Sequence, residues 1–239
     1  MTQRVAPPRR APLSKERVLR AAVALADESG IDSLSMRRLA EELDVVPMAL
    51  YKHVANKEQL LDGMVDVVIG EIDPPVRGAA WKTAVRHRIL AARRALLRHP
   101  WASRVLESRT DATPLVLAYM DSMIGLFRAG GFSVELTHHV MHAMGSRLLG
   151  FTQELFDDSR SLDPEVRDML IREMGKQFPH IVEIVKVVYH EADSVVGPGC
   201  DDQAEFEFAL DLLLDGLEAL LQREIQSPAP SPVRGPIHG

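Results

Sequence analysis

Apolar positions recur along most of this chain at intervals of three and four, the spacing that lines one face of an α-helix. Val18, Ala21, Ala22 and Leu25 mark such a face and predict a helix from Lys15 to Ser29, with Gly30 as its C-terminal stop. A second, short helix is predicted from Ser35 to Leu43. A third starts at Pro47, where the missing proline N–H has no helical partner to lose. Asn56 followed by Gln59 is a capping-box pattern and opens a fourth helix, Lys57 to Ile72, which Asp73, Pro74 and Pro75 break. That break is the expected domain boundary. Beyond it the pattern predicts helices at 81–98, 114–129, 134–157, 164–176, 181–192 and 203–226. Strand-like alternation is absent, so the expected fold is all-α.

The two ends are different. Residues 1–13 hold three prolines and Arg4, Arg9 and Arg10, a composition that cannot pack a core and predicts a flexible basic arm. Residues 227–239, with four prolines, predict a disordered tail. Between them the reading is a helix-turn-helix domain at 14–72, including the connecting helix 57–72, and a larger helical domain at 73–226. The net charge of −6 would argue against nucleic acid if it were uniform. Residues 1–57 instead carry a balance of +3, leaving −9 for the rest, so positive potential gathers where a phosphate backbone could be met. No apolar run is long enough for a membrane span, no apolar stretch follows the basic N-terminus as in a secretory signal, and Cys200 is alone; cytoplasmic placement is expected.

The segment Leu34 to Asp62, LSMRRLAEELDVVPMALYKHVANKEQLLD, is the most informative. Leu39, Ala40 and Leu43 give one short helix an inward face, and Leu50 and Val54 do the same for the next. Helices this short cannot stand alone and must pack on each other and on their neighbours. Ala40 is small enough for a close crossing, and the turn of about three residues suits a helix-turn-helix. Met48, Ala49 and Lys52 then point outward, with Tyr51 and His53 at the flanks. Such a row suits a major groove: Lys52 for a guanine O6 or N7, Met48 and Ala49 for a thymine methyl. Tyr51, His53 and Lys57 are placed for phosphates.

On these residues the chain resembles the TetR family of repressors, whose "lsmr.lA..L.v...alY.hv.nKe.Ll" pattern runs here from Ala21 through Leu61 nearly without gaps. The resemblance implies that Arg37, Pro47, Met48, Ala49 and Lys52 lie near bases and that Tyr51, His53 and Lys57 hold phosphates. Asp44 departs from the glycine usual in the turn, a position where Asp can adopt the left-handed conformation. The segments HPW at His99 to Trp101, GGFS at Gly130 to Ser133 and LDGLEALL at Leu214 to Leu221 resemble the ligand-binding domain of the tetracycline-repressor branch. In that branch the helices matching 134–157 and 203–226 pair two subunits. This implies a homodimer, with His138, His142, Phe206, Leu210, Leu213, Leu214, Leu217 and Leu221 at the interface. The apolar positions of 203–226 cover more than one stripe, which by itself calls for two buried sides.

The polar residues that hold a magnesium–tetracycline complex in that branch correspond here to mainly apolar ones such as Ile72, Ala92 and Leu106. The expected inducer is therefore an apolar or weakly polar small molecule, lined by some of Trp101, Met120, Met123, Met141, Met144, Leu148, Phe151 and Phe178. His138, His139 and His142 are read as helix surface or pocket donors rather than zinc ligands, and no cofactor or metal is expected. No G-x-S-x-G, P-loop or H-E-x-x-H is present, so the chain is not expected to be an enzyme. The reading is a ligand-responsive repressor released from a palindromic operator by an inducer; the alternative is a non-catalytic helical scaffold or small-molecule-binding protein with a vestigial DNA module.

Overall fold

The computed structural model describes residues 12–109, 111–150, 164–180, 182–183 and 202–226, and every regular element among them is helical. The chain divides into two compact units, residues 1–129 and 130–239. In the first, α1 (Lys15–Ser29) is capped by the Ser14 hydroxyl, which accepts from the Arg17 amide. It ends at Gly30, whose φ of 79° is open to glycine alone without strain. A 3₁₀ turn, Ile31–Ser33, leads to α2 (Met36–Leu43), capped by Ser35. Asp44 closes α2 at φ 53° and ψ 52°, the left-handed conformation expected of it, and its amide donates to the Ala40 and Glu41 carbonyls.

The next helix, α3 (Pro47–Leu50), is a single turn, and the backbone stays coiled through amides of His53 and Val54 donating to the Leu50 carbonyl. At the start of α4 (Lys57–Gly70) the Asn56 side chain accepts from the Gln59 amide. Gln59 in turn reaches back to the Ala55 amide, one residue earlier than a standard box. α4 stops at Gly70, two residues short of the expected Ile72. Then come α5 (Trp81–Arg98), α6 (Trp101–Ser108) and α7 (Pro114–Ala129). The sequence pattern did not predict α6, although Pro100 stands at its start, where proline is favoured.

Leu39, Ala40, Leu43, Leu50 and Val54 are buried, as the inward spacing requires. They join Val18, Leu19, Ala22, Val23, Leu25 and Ala26 of α1 and Leu60, Met64, Val65 and Val68 of α4. Packing does not stop at the Asp73–Pro75 break. Ala91 and Ala95 of α5 and Trp101, Ala102 and Val105 of α6 belong to the same apolar cluster, so the short helices and the segment beyond the prolines share one core. α1 meets α4 most closely at Gly63, where a Cβ atom would stand 2.6 Å from Leu19 Cδ2.

The second unit contains α8 (Val134–Gly150), α9 (Pro164–Gln177) and α10 (Asp202–Gln226). Ser133 caps α8 while its hydroxyl donates to Glu224 near the end of α10, tying the two helices. The end expected for α8 at Asp157, nearly all of the expected helix 181–192, the tail and most of the arm lie outside the described residues.

Gly63→Ala is expected to lower thermal stability by about 1 kcal/mol, because overpacking against Leu19 outweighs the gain in helix propensity. Combined with Leu19→Ala, the two losses should fall short of additive, since the second change removes the atoms that clash; a double-mutant cycle by denaturant unfolding reads this directly.

Candidate nucleic-acid interface

The outward row is produced by what lies beneath it. Leu50 and Val54 point into the core, and on a helix of 3.6 residues per turn this turns Met48 and Lys52 to the opposite side. Met48 is 71% exposed. Pro47, Lys52 and Lys57 are exposed, Tyr51 is also exposed, and Ala49 and His53 are half-buried. Arg37 projects from α2 and pairs with Glu41 one turn on, Nε to Oε1 at 3.0 Å, in full solvent. A pair of this kind contributes little to stability and leaves the guanidinium available.

Val46 was missed in the sequence pattern. It is 68% exposed beside Met48, and its backbone is extended, as required of a residue before proline. The signal was available in part, because a residue held extended by a following Pro47 lies outside the helical stripes on either side. Around this surface, Asp32 pairs with Arg104 at 2.6 Å, and that hydrogen bond, then the charges of Arg104 and Lys57, hold its carboxyl below the usual range.

The remaining expected site residues are distributed differently. Trp101 is buried in the core shared with α1 and donates its indole N–H to Asp27 at 2.6 Å. It is therefore tied to the last turn of α1. Met123 and Met144 are buried and Met141 is half-buried, but Met120 and Phe178 are exposed, so these two do not line an enclosed pocket. Trp101, Met120 and Met123 belong to the first unit, and Met141, Met144 and Phe178 to the second. The side chains of Leu148 and Phe151 lie outside the described residues.

The subunit interface needs a larger correction. Phe206, Leu210, Leu214, Leu217 and Leu221 are buried by their own chain and Leu213 is half-buried. They form the inner stripe of α10. A second stripe, Phe208, Leu212 and Leu220, is exposed at helical spacing, with Gly216 and Ala219 between. His138, His139 and His142 are exposed on α8, and the rings of His138 and His142 meet edge to face at 4.6 Å. Among the described residues no group of three His, Cys, Asp or Glu side chains is placed to hold a metal ion.

Comparison with known proteins places this geometry. The family model for bacterial regulatory proteins of the tetR family matches residues 18–64, and the model for the tetracyclin repressor-like C-terminal domain matches residues 74–221. An HTH-type transcriptional regulator of Saccharopolyspora erythraea is 37% identical over 121 residues, which span 50% of this chain and 51% of that relative. The HTH-type transcriptional repressor DrrR1 of Streptomyces coeruleorubidus is 29% identical over 91% of this chain and 82% of its own length. Among solved structures, ActR of Streptomyces coelicolor in complex with actinorhodin is similar at a TM-score of 0.66 and 28% identity, covering 88% of this chain and 99% of that one. BioQ bound to its double-stranded DNA operator is similar at a TM-score of 0.59 and 26% identity, over 87% and 99% of the two chains. With family models covering both the short-helix segment and most of the chain beyond it, the chain belongs to the TetR family of bacterial regulators.

Proposed function

We propose that this chain is a non-catalytic, ligand-responsive transcriptional repressor that binds a palindromic operator as a homodimer and is released by a small apolar or weakly polar inducer. The observation that carries the reading is the exposed row on α3. Val46, Met48 and Lys52 stand out from a turn whose other side is anchored by Leu50 and Val54, in a chain that belongs to a family of regulators. The thymine methyl groups of a major groove are a surface that the exposed Met48 fits. Lys52 is assigned to a base edge, Arg37, Pro47 and Ala49 to its vicinity, and Tyr51, His53 and Lys57 to phosphates. That ActR is known in complex with actinorhodin and BioQ with operator DNA supports both halves of the reading. Among the described residues no helix is long and apolar enough to cross a membrane, in keeping with action in the cytoplasm, where the DNA lies.

Two subunits are assigned to the exposed stripe of α10, with Phe208, Leu212 and Leu220, and to the exposed face of α8 with His138 and His142. Twofold pairing of these helices sets two copies of α3 on one side of the duplex. Release follows if inducer binds the dimer in which the two copies are wrongly spaced, and operator affinity then falls by the difference in binding energy.

Duplexes retained by the wild-type chain from a random-sequence pool provide the probe. Lys52→Ala with Tyr51→Ala should weaken binding to them about 10- to 100-fold, whereas Lys57→Ala should weaken all sequences alike and reduce the slope against salt by about one. Unchanged retention in the double variant would instead identify a helical scaffold with a vestigial DNA module. Leu212→Glu with Phe208→Glu should weaken self-association by about 30-fold or more in sedimentation, and duplex binding should weaken with it.

A further inference from the structure

His99, at the junction of α5 and α6, is buried, and both of its ring nitrogens face carboxylates. Nδ1 lies 2.8 and 3.0 Å from the two carboxylate oxygens of Asp27, in the last turn of α1. Nε2 lies 3.2 Å from Oε2 of Glu71, the residue that closes α4. A neutral imidazole donates through one nitrogen only and would turn a lone pair toward the other carboxylate; the imidazolium donates through both. Helix ends add to the two carboxylates. α1 and α4 each end without a basic residue in the last turn, so two helix C-termini with their partial negative charge converge on the ring together with the two carboxylates.

The other groups facing the site are few. Trp101 donates its indole N–H to Asp27 at 2.6 Å, and Arg98 donates to Glu71 at 2.7 Å. Burial raises the Glu71 carboxyl, but hydrogen bonds from Arg98 and His99 outweigh it and hold the group below its usual range. The Glu71 carboxylate is thus held in its charged form, ready to accept from the ring.

The location matters for what α3 does. Among the apolar contacts between α1 and α4, Leu19 lies over Gly63. Asp27 and Glu71 are each two turns further along their own helices. The His99 bridge therefore adds a polar attachment, at the C-terminal ends of both helices, to the apolar packing that already joins them. Because α2 packs on α1, and α3 on α2, the angle between α1 and α4 sets where the outward row stands.

We propose that His99, in its doubly protonated form, is a positioning residue for DNA binding: it clasps the C-terminal ends of α1 and α4 and holds α3 at the angle the operator requires, so that operator binding carries a bound proton. The proposal rests on the DNA-binding reading given above. The clasp uses both ring protons, so it is made by the imidazolium and opened by loss of one of them. His99→Asn keeps an amide donor where Nδ1 stood and drops the link to Glu71; His99→Gln keeps a donor where Nε2 stood and drops the link to Asp27. Neither bridges.

The experiment follows wild-type affinity for its selected duplexes from about pH 5.5 to about pH 8. In parallel, hydrogen exchange is followed at the Gly30 amide, which donates to the Ala26 carbonyl at the end of α1. Affinity is expected to fall about tenfold toward the alkaline end and Gly30 protection to fall with it. His99→Asn, His99→Gln and the half-exposed Glu71→Gln should each remove the step while binding weakly across the range. A wild-type affinity that does not change with pH, or a step that persists in the His99 variants and so belongs to another histidine such as His53, overturns the proposal. If the wild-type chain retains no duplex, the DNA-binding reading fails by itself. The exchange measurement then decides the clasp, and pH-independent protection of Gly30 overturns it.

Discussion

The structure depends on two helices that are too short to hold their own shape. α2 has eight residues and α3 four, and nucleating a helix costs more than so few hydrogen bonds return. Their conformation persists because Leu39, Ala40, Leu43, Leu50 and Val54 have somewhere to be buried, each large apolar side chain contributing about 1.5–3 kcal/mol when removed from water. That shelter is the angle between α1 and α4. The close approach of these two helices rests on Gly63, because any side chain there meets Leu19. An exposed reading surface is thereby fixed by packing on its hidden side, which is how four residues can present Met48 and Lys52 reproducibly.

The same core continues through Ala91, Ala95, Trp101, Ala102 and Val105, so α4 is gripped from both sides. The polar contacts follow its length. Asp62 pairs with Arg109 at 2.7 Å, Asp66 accepts from Thr113, and Glu71 accepts from Arg98. At its end the buried Arg88 donates to the carbonyls of Ile72 and Asp73 while its guanidinium lies 4.6 Å from the centre of the Tyr119 ring. A cation at a helix C-terminus meets the partial negative charge there, and the aromatic face supplies a second attraction where no carboxylate is offered.

Much of this was legible in the chain. Helix boundaries at Ser14, Gly30, Ser35, Asp44 and Asn56 follow from local chemistry, since a cap is a contact between residues three or four apart and needs no distant partner. The inward and outward faces around Pro47 follow from periodicity alone. The misreadings have one cause. Trp101 resembles a pocket residue, and Phe206, Leu210, Leu214, Leu217 and Leu221 a subunit interface. In each case the residue type shows that burial is needed without showing what covers it. α10 illustrates this well: its apolar positions announce two buried sides, and nothing in their spacing distinguishes the stripe taken by the chain itself from the one left exposed.

The sequence by itself determined the helical class, the caps, the turn at Asp44 and the side of α3 that stays in water, because these are set by interactions within about two helical turns. Only the tertiary structure decided that α6 docks against α4, that His99 joins Asp27 to Glu71 across 72 and 28 positions of chain, and that Phe208 and Leu212 are the exposed side of α10. Those outcomes depend on which of several apolar stripes meet. A choice among surfaces of similar hydrophobicity is settled by shape and by polar groups far apart in the chain, neither of which leaves a periodic mark on it.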